Sequence, residues 1–302
     1  MKWDDLRVFL SVARAGRLLA AGGALGLDPA TVGRRVAALE RSLGSKLFDR
    51  SPRGYSLTAA GQRLVGYAEN MEIVVEEARQ DAGGQSDSLS GTVRIGAPDG
   101  LANYLLPEAA AALAADNPAL NVQIAALPRI FSLSRREADL AIAVSHPSAG
   151  RLRVRKIADY HLHAYMSRAL LARTGPVVRT AELGSITGIG YIPDMIFDKE
   201  LDYFAAFGPD ARPALTSNSL IVQLNWTLAG YGYCILPDFV ARNYPELARI
   251  LDRSIALRRS YYLLRHEDDR RVARINRTAE YLVGFLRREF AAVEKWSQKS
   301  VD

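Results

Sequence analysis

Apolar residues in the first sixty positions recur at three- and four-residue spacings, the period of helices facing a common core. Leu6, Phe9, Leu10 and Ala13 mark a first helix that Asp4 or Asp5 can cap and that ends near Gly16. A shorter helix, about Leu18 to Leu25, stops at Gly26. Asp28-Pro29 then supplies a capping side chain and a proline at the first helical position. The third helix, Pro29 to Leu43, turns Val32, Val36, Leu39 and Leu43 inward and Thr31, Arg34, Arg35 and Arg41 outward. Leu47-Phe48 and Tyr55 to Leu57 alternate as a two-stranded hairpin around a tight turn, Ser51 to Gly54, with Arg50 and Arg53 near its tip. A helix pair whose second member exposes Thr and Arg near its N-terminus suits the major groove of DNA, and a basic hairpin beside it suits phosphates.

The pattern then changes twice. Thr58 can cap a long helix whose stripe is Leu64, Tyr67, Ala68, Met71, Val74, Val75 and Ala78, with Glu69, Glu72, Glu76 and Glu77 elsewhere on it. It dissolves at Gly83-Gly84-Gln85-Ser86-Asp87-Ser88, and the stripe requires a partner: a second subunit or the chain's own next domain. From Gly91 onward strands alternate with helices, which predicts α/β layers around a mainly parallel sheet. The expected elements are a strand Gly91 to Gly96, a helix Leu101 to Ala115 closed by Asn117-Pro118, a strand Leu120 to Leu127, a helical stretch Ser132 to Ala138, a buried strand Asp139 to Val144, and a closing helix Val272 to Phe290.

Composition narrows the function. At 302 residues the chain exceeds one ordinary core, so two or three domains are expected. One cysteine, Cys234, excludes an intramolecular disulfide, and its apolar neighbours Tyr233 and Ile235 predict a buried thiol. The acidic start and the lack of an apolar run of about 20 residues predict a soluble cytoplasmic protein with no membrane segment. Net charge is +6 but uneven: residues 1–60 carry +5, residues 61–90 carry −4, and residues 91–302 carry +5. A basic head beside an acidic connector fits nucleic-acid binding.

The runs Trp3-Asp4-Asp5-Leu6-Arg7, Phe9-Leu10-Ser11-Val12-Ala13, Arg34-Arg35-Val36-Ala37-Ala38-Leu39-Glu40, Leu47-Phe48-Asp49-Arg50 and Leu57-Thr58-Ala59-Ala60-Gly61 closely resemble the N-terminus of LysR-type transcriptional regulators. Asp139-Leu140-Ala141-Ile142 and Ala229-Gly230-Tyr231-Gly232-Tyr233-Cys234-Ile235-Leu236-Pro237 resemble the effector domain of the same family, a fold shared with periplasmic solute-binding proteins. The chain departs from the family at Arg17 and Leu19, where Ser or Thr is usual, at Gly22 and Gly23, where larger residues are usual, at Pro29, and at Gly33, which replaces a serine. Two adjacent glycines should each weaken a helix by roughly 0.5–1 kcal/mol relative to alanine.

The resemblance implies an α/β chain with an N-terminal all-α winged helix-turn-helix and an effector domain of two Rossmann-like lobes like a type 2 periplasmic binding protein. It implies a DNA-binding domain over 1–58, a dimerisation helix and hinge over 59–90, and an effector domain over 91–302 with lobe I at 91–160 and 265–302 and lobe II at 161–264. On that reading Pro29, Ala30, Thr31, Gly33, Arg34, Arg35, Arg50 and Arg53 face DNA. Ala97, Pro98, Asp99, Gly100, Pro128, Ser145, Tyr191, Ser217, Asn218 and Tyr231 would reach a small-molecule effector between the lobes. In many relatives a Ser or Thr there offers its hydroxyl to a carboxylate; here Asp99 would repel one, or cap the helix starting at Leu101, and Ser219 can cap the helix containing Trp226. The implied partners are double-stranded promoter DNA, the effector, a second copy in a homodimer or tetramer, and RNA polymerase.

Catalytic chemistry finds little support. His146, His161, His163 and His266 lack zinc-ligand spacing, although His161 and His163 share a strand face. Gly188-x-Gly190 is too short for a dinucleotide loop, and neither a phosphate-binding Gly-Lys-Ser/Thr nor a Gly-x-Ser-x-Gly turn occurs. No cofactor or metal is expected. The residues alone leave open a solute-binding or enzymatic α/β protein whose helical head only mediates oligomerisation.

Overall fold

Three helices, α1 (Trp3–Ala15), α2 (Leu18–Leu25) and α3 (Pro29–Leu43), form where the apolar period places them. In this computed structural model, residues 2–51, 54–82, 88–126, 138–147, 151–252, 254–267, 269 and 272–299 are described. The chain divides into two units, Met1–Asp87 and Ser88–Asp302. In the first, Leu6, Phe9, Leu10, Val32, Val36 and Leu39 are buried in one core. Lys2, not Asp4 or Asp5, is the N-cap of α1, and it makes no side-chain cap bond. The two aspartates lie in the first turn, where negative charge suits the positive end of the helix dipole. Gly26 and Gly44 close α2 and α3 in the left-handed conformation.

The hairpin β1 (Phe48–Ser51) and β2 (Gly54–Leu57) is antiparallel, with Phe48 opposite Leu57. Thr58 caps the long helix α4 (Ala59–Ala82), its Oγ1 accepting from Gly61 N at 3.1 Å. Leu64, Val65 and Ala68 of α4 pack on the head's own core, and Arg14 reaches Glu72 at 2.9 Å. Tyr67, Met71 and Val75 remain exposed. Thus the first half of the stripe has a partner within its own unit. The expected end of the helix at 83–87, and the turn residues Pro52 and Arg53, lie outside the described residues.

In the second unit, β3 (Gly91–Ala97), β4 (Leu120–Ala126) and β5 (Leu140–Ala143) run parallel, with β3 central. Two long strands, β6 (Leu152–Ser167) and β11 (Ala256–His266), pair antiparallel and carry the sheet onward to β9 (Tyr233–Pro237), β7 (Gly188–Gly190) and β8 (Leu215–Thr216), while β10 (Leu247–Ile250) adds to β6. Two long strands thus join two parallel-stranded halves. Cys234 is buried in β9, as its apolar setting predicts.

The expected single helix Leu101 to Ala115 is two, α5 (Asp99–Tyr104) and α6 (Leu106–Asp116), broken at Leu105. Pro107 explains the break, because its ring blocks the hydrogen bond and crowds the carbonyl that would continue α5. The last helix, α10, is longer than expected, Ala273–Lys299, because Val293 and Ser297 are still buried. The helical stretch expected at Ser132 to Ala138 lies outside the described residues except for Ala138. No helix among the described residues is long and apolar enough to cross a membrane.

Candidate nucleic-acid interface and ligand cleft

On α3, Asp28 is the N-cap, its carboxylate accepting from Thr31 N at 2.9 Å and from Thr31 Oγ1 at 2.5 Å. Those two bonds hold the Asp28 carboxyl below the usual carboxylate range. Thr31 Oγ1 in turn accepts from the Arg34 guanidinium at 2.8 Å. The first exposed turn of α3 is therefore an ordered chain of polar groups ending in a cation. Pro29 and Ala30 are exposed beside it. Arg35 lies 3.9 Å from Asp4, so it bridges α3 to α1. Gly33 points inward: a Cβ there would stand 3.3 Å from Leu18 Cδ1, so the residue that replaces the family's serine sits under α2.

The hairpin is fastened to α3 by a residue the sequence did not single out. Glu40 is only 4% exposed, and its Oε1 accepts from Leu47 N at 2.9 Å and Phe48 N at 3.3 Å. Its Oε2 meets Lys46 at 3.4 Å and Arg50 at 3.3 Å. Burial pushes the Glu40 carboxyl up, but the two amides and Lys46 outweigh it and hold it below its ordinary value. Arg50 also lies over the Tyr55 ring at 5.6 Å. The cation is held one residue pair from the turn of the hairpin by a carboxylate and an aromatic face. Arg53 lies outside the described residues.

In the second unit, Ala97, Pro98, Asp99 and Gly100 lie where β3 passes into α5. Pro98 is the N-cap of α5, and Asp99 serves a different helix. Its Oδ2 accepts from Ser219 Oγ at 2.7 Å and from Ile221 N at 3.4 Å, at the start of α8 (Leu220–Leu228). Its Oδ1 accepts from Asn103 at 2.8 Å. Ser219 also caps α8 through Val222 N, as the sequence suggests. Gly100 allows the two helices this close, since a Cβ there would stand 2.5 Å from Leu220 Cδ2. Ser217, whose amide donates to Gly190 O at 3.0 Å, and Asn218 lead into α8 at this junction.

A reciprocal contact lies nearby: Ser145, just past β5, donates to Asp198 in the loop after β7. Asp198 and Tyr191 line a cavity of about 640 Å³, together with Tyr203, Phe204, Gln223 and Cys234. Burial, with Tyr203, Tyr261, Cys234 and Asp99 around it, holds the Tyr191 phenol protonated well above its usual range. Tyr203 is pushed up to about 12, chiefly by burial. Of the ligand residues predicted from sequence, Tyr191 lines the cavity, Ser145 is bound to the lining residue Asp198, and Asp99 and Ser217 both meet Ser219 at the start of α8. Tyr231 joins neither group: it follows the C-terminal end of α8, opposite Ser219, and is 62% exposed. Pro128 lies outside the described residues.

His161 and His163, expected on one strand face, have different settings. His163 Nδ1 is 2.8 Å from Asp238, and Asp238 is completely buried, also accepting from Tyr165 at 2.8 Å and Ser297 at 2.6 Å. That cluster ties β6 to the end of α10.

Residues 3–62 match the bacterial regulatory helix-turn-helix protein, lysR family, and residues 86–287 match the LysR substrate binding domain. The chain is 26% identical over 251 residues to the HTH-type transcriptional regulator PtxR of Pseudomonas aeruginosa, covering 82% of this chain and 79% of that one. In fold it is similar to hydrogen-peroxide-bound mutant OxyR of Corynebacterium glutamicum, with a TM-score of 0.63 at 19% identity and coverage of 98% and 97% of the two chains. It is also similar to full-length CbnR complexed with its target DNA, with a TM-score of 0.50 at 21% identity and coverage of 94% and 99%.

Proposed function

The chain belongs to the LysR-type family of transcriptional regulators, a family of DNA-binding proteins with an effector domain and not of enzymes, and from that premise we propose how it works. Residues 1–58 read DNA, residues 59–90 pair subunits and act as a hinge, and residues 91–302 sense a small molecule in the cleft between two lobes. The lobes comprise 91–160 with 265–302, and 161–264. Thr31 and Arg34 contact base edges, with Pro29, Ala30 and Arg35 shaping the surface of α3 and Gly33 letting α2 pack close against it. Arg50 and Arg53 contact phosphates. The observation that carries this reading is the hydrogen-bonded run Asp28–Thr31–Arg34 on the exposed first turn of α3. A guanidinium held in place loses less side-chain freedom when it meets a base.

Subunits pair through the exposed Tyr67, Met71 and Val75 of α4, giving a dimer that can pair into a tetramer. The protein acts in the cytoplasm on promoter DNA, with RNA polymerase as its protein partner. Effector binding shifts the population between lobe arrangements and so the spacing of the paired heads. Ala97, Pro98, Asp99, Gly100, Pro128, Ser145, Tyr191, Ser217 and Asn218 shape the effector site.

The test selects operator fragments with the purified protein and compares gel shifts. Arg34→Ala should abolish discrimination between operator and random DNA. Arg53→Ala should weaken both alike and lower the salt slope by about one. Equal operator discrimination by wild type and Arg34→Ala would overturn the base-reading role.

A further inference from the structure

We infer that the face of β6 and β11 beneath α10 holds a binding site for a small phosphate monoester, apart from the cavity that Tyr191 lines. The two strands run antiparallel, with Arg153 directly opposite Arg265 and Arg155 directly opposite Leu263. Opposite residues share one face of a sheet with their Cβ atoms about 5 Å apart, so a like-charged pair there is destabilising. Side chains two apart return to the same face, which puts Arg155 beside that pair. Three guanidinium groups thus crowd one small area, an arrangement that costs stability until something negative sits among them.

The side chains that α10 brings to this face do not balance the charge. Glu280 accepts from Arg155 at 2.5 Å. Arg265, half-buried, donates to Asn276, a neutral amide. Arg153 is exposed and has no carboxylate partner among the described residues. Arg151 and Glu267, just past this pair, meet each other at 3.8 Å and add no net charge. The three arginines and Glu280 line a cavity of about 390 Å³ together with Leu263 and Ala279, and Glu280 is the single acid of that lining. Three cations against one carboxylate leave +2. The cavity shares no lining residue with the one of about 640 Å³.

Charge and geometry select the ligand. A phosphate monoester carries about −1.5 to −2 at pH 7, which matches the site. Its three terminal oxygens accept from guanidinium forks arriving from different directions, whereas a single fork engages both oxygens of a carboxylate. Each guanidinium carries five N–H donors, more than the bonds to Glu280 and Asn276 use. Leu263 and Ala279 offer an apolar floor to the organic part of the ester, and some 390 Å³ suits a compact molecule.

The test titrates the full-length protein calorimetrically, at constant ionic strength, with glycerol phosphate, glycerate and glycerol. Glycerol phosphate should bind at least about tenfold tighter than the other two. Arg153→Gln and Arg265→Gln should each weaken it at least about tenfold, while Arg173→Gln, which removes an exposed charge from α7 (Arg168–Thr174), should leave it within about twofold. Arg153→Gln also relieves the opposed pair, so in phosphate-free buffer it should unfold thermally no lower than wild type, which separates lost binding from lost fold. Glycerate or glycerol binding as tightly as the ester, no binding of the ester, or equal weakening in all three variants overturns the inference. Undiminished binding in Arg153→Gln overturns it as well, and so does a lower unfolding midpoint for that variant. The effector reading does not depend on the outcome, because the two cavities are separate.

Discussion

Replacing Glu40 tests whether one buried carboxylate holds the hairpin in register with α3. In Glu40→Ala the amides of Leu47 and Phe48, belonging to residues 2% and 3% exposed, lose their acceptor. A hydrogen bond to a charged acceptor contributes about 1.5–3 kcal/mol, and a buried amide left without a partner costs about 1–3 kcal/mol. The contacts to Lys46 and Arg50, whose side chains are 75% and 48% exposed, add little. The 2.9 Å bond is the stronger of the two, so the expected loss is about 3 kcal/mol for alanine and about 1 kcal/mol for glutamine, which keeps an acceptor oxygen.

Hydrogen exchange on the full-length protein reads this locally. Protection across residues 47–50 should fall about a hundredfold in Glu40→Ala and about fivefold in Glu40→Gln. Because the native pKa of Glu40 lies below its ordinary value, the stabilisation is complete above about pH 4.3 and is lost as pH falls through the depressed native value. Protection in Glu40→Ala within about threefold of wild type would refute the reasoning, since the amides would then have found another acceptor.

Gly23→Ala should raise the head's stability by about 0.5–1 kcal/mol, because nothing lies within 4 Å of an added Cβ, whereas Gly22→Ala should lower it by about 1–3 kcal/mol, because its Cβ would stand 2.5 Å from Leu27 O; thermal unfolding of the two variants checks the opposite signs. Asp238→Ala should destabilise the second unit by about 3 kcal/mol in urea unfolding, since it leaves His163 without its carboxylate and the buried Arg249 guanidinium with Asp252 alone. Burial pushes Asp238 up, but bonds from His163, Ser297 and Tyr165 hold it below the usual aspartate range, so that stability is present above about pH 3.9 and lost as pH falls through the native value. Cys234 should resist alkylation in the native protein at pH 8 and react at once in denaturant, because burial pushes its thiol far up.

Local rules made much of the head legible. Asp28 and Thr58 cap the helices that their side-chain chemistry predicts, and the glycine stops fall where the apolar period ends. Pro107 carried the break between α5 and α6, yet alanine richness masked it. The site in the second unit was legible only in part. A strand-to-helix passage near Ala97–Gly100 was legible, but α5 begins at Asp99 and not at Leu101, and the partner of Asp99 was not legible.

What the sequence determined alone is therefore whatever depends on neighbours a few residues apart: helix period, caps, stops, and the division into a basic head, an acidic helix and an α/β remainder. Tertiary structure decided where the polar groups go once those elements pack. Glu40 reads as one more surface acid on α3 until β1 folds over it. Asp99 reads as a cap for its own helix until α8, 120 residues away, brings its free amides and Ser219 within reach. A carboxylate takes the best donors its surroundings offer, and spacing along the chain does not reveal donors that arrive from another strand or helix.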